Sequence, residues 1–281
     1  RTVSFDFDQP LWLGGEFAPF DISGPARSNL NLNVDVDRIG SRQRLRSSLD
    51  TIRRRLDQSG AMDATDNFQQ QAVDLVLGNA KDAFDTTRED AQTKAAYGPG
   101  LGEQLLSARR LCEAGCGFVM LNYGWAPTPS ETPFAWDMHL GPSQPNAPAM
   151  KGQLESIFPM FDHAISAFLT DVEQRGLSEN ILLVVTGDFG RTPKINAHGG
   201  RDHWPGLCTL ALAGGGLTHG QVIGTSSTKA EYPTSSAYEP KDLMATLFHV
   251  LGINPAMQAN DFNGRPNYLL PTGAKVISEL V

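Results

Sequence analysis

The residues with the most chemistry in the least space lie between Ile181 and Trp204, ILLVVTGDFGRTPKINAHGGRDHW. Five apolar residues, Ile181 to Val185, stop just before Gly187-Asp188, and Arg191, Lys194, His198, Arg201, Asp202 and His203 follow within sixteen positions. A second group, Trp136-Asp137-Met138-His139, sits in a loop rich in Pro, Ser and Gly. Carboxylates and imidazoles at strand ends suit zinc, manganese or a similar divalent ion. Asp137, His139, Asp188 and His203 are therefore the candidate metal ligands. The plainer alternative makes Asp188 a turn cap and His203 a surface residue.

Arg191 and Arg201 have the planar donor fork that grips a phosphate or sulfate oxyanion bidentately. They equally suit pairing with nearby acids, and an Asp188–Arg201 ion pair capping the sheet is a third reading. Asp202 could orient His203, although adjacent residues rarely reach one another that way. No Gly-x-Ser-x-Gly elbow and no Ser-His-Asp order is present, and Thr186 has no evident base. Gly214 to Gly216 lacks a following Lys-Ser/Thr, so it reads as a tight turn and not as a phosphate loop. His163 and His249 fall in helical stretches and read as structural, and neither His198 nor His219 has a partner at ligand spacing.

These residues need elements to hold them. An apolar run bounded by turn residues reads as a buried parallel strand at 181–185, and ligands bind beyond the carboxyl ends of such strands. Residues 117–121 and 207–213 read as further strands, and 221–224 as a short one. Helical periodicity covers 102–113, 154–175 and 241–251, with Gly115 and Gly176 as stops. Earlier, Leu30 to Val36 alternates like a half-exposed strand, and helices are expected from Ser41 to Gly60 and over 66–77. The arginines of the Ser41 helix fit a solvated face paired with Asp50 and Asp57, or an anion-binding surface. Val276 to Val281 reads as a docked helical turn.

The 281 residues carry a net charge of −8, which argues against general nucleic-acid binding. No apolar stretch approaches the roughly 20 residues that span a bilayer. Three cysteines cannot make a disulfide scaffold. Cys112 and Cys116 read as small buried hydrophobes, or as the one disulfide that the odd count allows. The start, RTVSFDFDQP, shows no signal-peptide pattern and no initiator Met, which suggests a processed or proteolysed start.

At GDFGRTPKIN and GGRDHWP the sequence resembles the DUF1501 proteins, placed within the alkaline phosphatase and sulfatase superfamily. Supporting matches include Ala83-Phe84-Asp85, Leu106 to Gly115 (LSARRLCEAG), Trp136 to His139, Leu212 to Gly216 (LAGGG) and Gly252-Ile253-Asn254-Pro255. The resemblance implies an α/β fold: a partial alkaline-phosphatase-like three-layer sandwich over 116–281, with an irregular and helical region packing on it over 1–115. It implies hydrolysis of phosphate or sulfate esters with a divalent metal (zinc, manganese or calcium). Asp137 and His139 match one ligand pair, Asp188 the late-strand ligand and His203 the closing histidine. Arg191 and Arg201 would hold the anionic ester substrate.

The pattern departs at Phe189, where the superfamily usually carries a ligating histidine. Nothing here corresponds to the family's earlier Gly-Gly-Pro-Ser-His type strand, so the chain looks like a C-terminal part. The nucleophile and a further ligand would then come from an N-terminal fragment of the same protein. Twin-arginine export signals among family members imply a periplasmic or extracellular location. The rival expectation is a catalytically degenerate member that serves as a cell-surface binding or assembly protein. Oligomerisation is compatible with either.

Overall fold

The computed structural model describes residues 11–13, 17–19, 35, 37–42, 44–45, 80–123, 125–126, 134–136, 138, 150–235, 237–261 and 263–281. The expected strand before Val36, most of the Ser41 helix, the helix over 66–77, and Asp137 and His139 lie outside the described residues. The chain divides into two compact units, one of residues 1–85 with 256–269, the other of residues 86–255 with 270–281.

In the first unit, residues 37–42 and 44–45 are helical, and Ala80–Ala83 forms a single turn. A hairpin joins Gln258–Asn260 to Pro266–Tyr268, antiparallel, with Ala259 opposite Asn267. Its loop is tied by Asp261, whose Oδ1 accepts the Asn263 and Arg265 N–H groups at 2.8 and 2.9 Å. That Asx-type bonding adds to the backbone bonds of the turn, Asp261 N–H to the Arg265 oxygen at 2.9 Å and Gly264 N–H to the Asp261 oxygen at 2.8 Å.

The second unit begins with α1, Ala91–Tyr97, capped by Asp90, whose Oδ1 accepts the Thr93 N–H at 2.8 Å. Helix α2, Leu101–Glu113, follows after a short turn, and α3, Met150–Gln174, packs against it. Gly102 is required by proximity: a Cβ there would lie 1.8 Å from the Tyr97 carbonyl oxygen. The core between these helices holds Tyr97, Leu101, Leu105, Leu106, Ala164, Phe168, Val172 and Ile181. Most of these positions repeat at three- and four-residue spacing along α2 and α3, as amphipathic stripes do.

Two short strands, β1 (Trp125–Ala126) and β2 (Phe134–Ala135), pair antiparallel. Strand β3, Leu182–Val185, pairs with β6, Ala211–Gly214, with Leu182 opposite Gly214 and Val185 opposite Ala211. Between them runs a second ribbon, β4 (Gly190–Arg191) with β5 (His203–Trp204). Helix α4, Pro240–Val250, carries a capping box between Glu239 and Asp242. It receives the C-terminal tail: the Lys275 N–H donates to Asp242 Oδ1 at 2.9 Å and the Ile277 N–H to Thr246 Oγ1 at 3.0 Å. Ile277 and Leu280 bury beside Leu217. The expected docking of 276–281 is thus observed, with a turn at 278–279.

The described architecture is mixed α and β with small antiparallel sheets. Helices 102–113, 154–175 and 241–251 form close to their expected bounds. Three expectations for strands fail. Strand β3 is antiparallel and half-buried, not parallel and buried. A parallel neighbour needs a crossover, usually a helix; residues 186–210 contain none and bring the chain straight back alongside β3. Residues 117–121 are not a strand, with Phe118 66% and Met120 58% exposed. An apolar run becomes a strand only beside a partner edge, and none of the described residues pairs with it. Residues 221–224 likewise stay unpaired, the nearby bridge being Ser226 to Pro233. None of the described helices is long and apolar enough to cross a membrane.

Candidate functional site

The chain leaves β3 at Val185 and exposes Thr186, Gly187 and Asp188. Asp188 Oδ1 accepts the N–H of the next residue, Phe189, at 3.0 Å. Gly190 then passes so close to a neighbouring segment that a Cβ would lie 1.9 Å from the Leu207 carbonyl oxygen. Only glycine fits that crossing. Beyond it Arg191 stands opposite His203 in the β4–β5 ladder.

The intervening loop is held by polar side chains. The Asp202 carbonyl accepts from Thr192 N at 2.9 Å, and Thr192 Oγ1 accepts from Asp202 N at 3.0 Å. Asn196 Oδ1 accepts the His198 and Gly200 N–H groups at 3.0 Å each, while its amide donates to Asp202 Oδ1 at 2.9 Å. A single Asn thus satisfies three groups that the loop would otherwise leave to water. Its role passed unnoticed in the sequence, although Asn before Ala-His-Gly-Gly is a turn signal. Asp202 orients the loop through Asn196 and Thr192.

Both arginines turn to backbone carbonyls. Arg201 Nη1 donates to the Thr192 and Pro193 oxygens at 2.6 Å each. Arg191 donates through Nη1 to the Arg201 oxygen at 3.2 Å and through Nη2 to the Trp136 oxygen at 3.5 Å. Its guanidinium carbon lies 5.8 Å from the centre of the Phe189 ring, and that ring lies 4.2 Å from the His203 imidazole, tilted by 35°. The expected pairing of Asp188 with Arg201 does not form among the described residues.

The loop is fastened to a segment far away in sequence. Besides the Arg191–Trp136 bond, the Arg201 N–H donates to the Met138 oxygen at 3.3 Å. Trp136 is seated edge-on against Phe158 and Phe161 of α3, at 5.4 and 5.5 Å between ring centres, and near Tyr123 at 6.3 Å. On the other side, Trp204 Nε1 donates to the Glu231 oxygen at 2.9 Å. Asp188 and His203 are exposed at this ribbon. Carboxylate and imidazole are the donor types a divalent cation takes. Among the described residues no third His, Cys, Asp or Glu joins them to form a metal-sized group. Asp137 and His139 are outside that count.

A second polar cluster, which sequence reasoning missed, lies where α2 meets α3. Arg109 is 1% exposed. Its Nη2 lies 3.0 Å from Glu89 Oε1, its Nε lies 3.0 Å from Asp171 Oδ2, and its Nη1 donates to Glu113. The first two contacts have ion-pair distance without hydrogen-bond alignment. Arg110 and Arg175 also reach Glu89, and the Tyr97 hydroxyl donates to Asp171 at 2.8 Å. Burial alone would push the Glu89 carboxyl up, but the close guanidinium of Arg109, the hydrogen bond from Arg110 and the charge of Arg175 hold it below its ordinary range. Burial raises the Tyr97 phenol, and its bond to the Asp171 carboxylate raises it further. The signal in the sequence was Arg109 in line with Leu101 and Leu105 at four-residue steps on an apolar face. A charge there demands an acid.

No curated protein and no solved structure matches the chain. A family profile described as a protein of unknown function, DUF1501, matches residues 7–281. With GDFGRTPKIN, GGRDHWP and that span in agreement, the protein belongs to the DUF1501 family.

Proposed function

We propose that this chain belongs to an exported, metal-dependent hydrolase of phosphate or sulfate esters, with a core of the alkaline phosphatase kind. The observation that carries the reading is the join between two motifs 55 residues apart. Trp136 and Met138, which flank Asp137, are bonded to Arg191 and to the Arg201 backbone, beside exposed Asp188 and His203. Two acid-and-imidazole segments that resemble a ligand set are thereby tied together, and a rigid support is what such a set requires.

In this reading Asp137, His139, Asp188 and His203 hold zinc, manganese or calcium. A bound divalent cation supplies Lewis-acid polarisation of the ester oxygens. Arg191 and Arg201 supply positive charge beside the bound anion while their bonded edges keep the loop in shape. Export follows from the resemblance to family members with twin-arginine signals.

The engagement of both arginines by carbonyls favours a second reading, a degenerate member that acts as a binding or assembly protein. Metal stoichiometry by elemental analysis separates the two, on the native protein and on Asp188→Asn and His203→Ala. The hydrolase reading expects near-stoichiometric metal that both folded variants lose, and cleavage of p-nitrophenyl phosphate or sulfate that falls with it. Retention of full metal by both variants, or metal loss with unchanged cleavage, would sink it. Absence of metal and of cleavage from the full-length protein supports assembly.

A further inference from the structure

Helix α2 ends in Cys112-Glu113-Ala114-Gly115-Cys116. Gly115 has φ +93°, its N–H donates to the Cys112 oxygen at 3.0 Å, and the Cys116 N–H donates to the Leu111 oxygen at 2.9 Å. These two bonds are the reversal that folds the chain back over the last helical turn. The reversal keeps Cys116 at the turn that carries Cys112. Both are thiols, Cys112 half-buried and Cys116 exposed. Burial raises the Cys112 thiol above its ordinary range, with the neighbouring Cys116 and Glu113 adding to it. Cys116 is the sulfur that solutes meet first.

We propose that Cys112 and Cys116 form a reversible disulfide that latches the end of α2, with a small-molecule disulfide such as oxidised glutathione as the oxidant. The 2.9 Å bond from the Cys116 N–H to the oxygen of Leu111, the residue before Cys112, holds the two cysteine backbones side by side, and a disulfide needs Cβ atoms about 3.5–4.5 Å apart. Closing the bond turns the Cys116 thiol away from the Phe118 carbonyl, to which it donates at 3.4 Å, a rotation open to an exposed residue just past the helix. The Cys116 thiolate attacks one sulfur of oxidised glutathione and releases one glutathione thiolate. The Cys112 thiolate then attacks the Cys116 sulfur of the mixed disulfide and releases the second. Two electrons pass to glutathione, and the two thiol protons end on the two glutathione thiolates. The bond would fix the point at which the chain enters 117–121, where Phe118 and Met120 are exposed.

The test equilibrates the whole protein with oxidised glutathione, quenches in acid, alkylates with iodoacetamide and maps the cysteines by mass spectrometry. Cys112 and Cys116 should escape alkylation together, in a peptide lighter by two hydrogens, with Cys208 outside that bond. In Cys112→Ser, which removes the resolving thiol and little volume, Cys116 should accumulate the glutathione adduct at least about tenfold over wild type. Equal adduct in wild type and Cys112→Ser overturns the proposal. So does a Cys116–Cys208 link, or full alkylation of both thiols in wild type, a readout that needs no variant to fold.

Discussion

Where α2 meets α3, Arg109, Arg110 and Arg175 meet carboxylates; in the 186–204 loop, Arg191 and Arg201 meet backbone carbonyls. In the first region the acids are consumed by the arginines and little charge reaches solvent. In the second, the arginines are occupied by main chain, and the acid and imidazole of the motif stay at the surface. A cluster whose charges are mutually satisfied and buried serves the fold. One that spends its cations on shape and keeps Asp188 and His203 outward presents an acid and an imidazole where a ligand can reach them. The difference separates two motifs of similar composition by what each would lose on substitution.

The largest effect should follow Arg109→Met, which keeps the volume and removes the charge facing Glu89, Glu113 and Asp171. Leaving buried carboxylates short of a partner costs about 3–5 kcal/mol, toward the lower end here because Arg110, Arg175 and Tyr97 remain. Urea unfolding followed by circular dichroism checks it, and a loss under about 1 kcal/mol would erase the contrast between the regions. Acid probes the same cluster. The Glu89 carboxyl is held low in the folded chain. Its contribution is therefore fully present above the unfolded value of about 4.3 and is lost as pH falls through the lower folded value. The urea midpoint of wild type should drop more steeply than that of Arg109→Met between about pH 5 and about pH 3. Parallel curves would mean that Arg109 does not hold the Glu89 charge.

Arg201→Gln comes next. It removes a cation that bridges two carbonyls, and hydrogen bonds from charged groups are each worth about 1.5–3 kcal/mol when fully sheltered. Arg201 is half-buried, so a total of about 1–2 kcal/mol is expected for the pair. Amide hydrogen exchange should show the loss concentrated at Asn196 to Asp202, with α2 and α3 protected as before. A uniform loss of protection would place Arg201 with the core cluster instead.

How much of this was visible in the sequence differs between the regions for a physical reason. Helices α2, α3 and α4 are amphipathic and end at glycines or leucine turns, so their bounds follow from local patterning. The motif residues were found by type and spacing, and the join of 136–138 to 191–201 was not, because it runs through backbone carbonyls that carry no side-chain signature. The sense of β3 was also hidden: Ile181 to Val185 reads the same beside a parallel or an antiparallel neighbour. What decides is the absence of a helix before β6, a negative feature spread over 186–210. Arg109 was legible by its place on an apolar face, but its acids were not, because Glu89 and Asp171 come from segments distant in sequence that only packing brings to it.

The smallest effect should come from Asp188→Asn. Asp188 is exposed and its Oδ1 accepts, among the described residues, the Phe189 N–H, a bond that the Asn carbonyl can also accept. Its removal as a charge should shift stability by no more than about 0.5 kcal/mol, the usual range for exposed substitutions. The same change should abolish any divalent-ion binding that the loop supports, since a neutral amide is a far poorer cation ligand than a carboxylate. Paired unfolding curves with and without added zinc or manganese test both halves at once, because a ligand of the folded state raises the midpoint with its concentration. If wild type gains stability with metal and Asp188→Asn does not, while the two coincide in chelator, the acid is held for binding alone. If the variant is already weaker in chelator by about 2 kcal/mol or more, Asp188 is a structural residue like Glu89, and the distinction between the two regions falls.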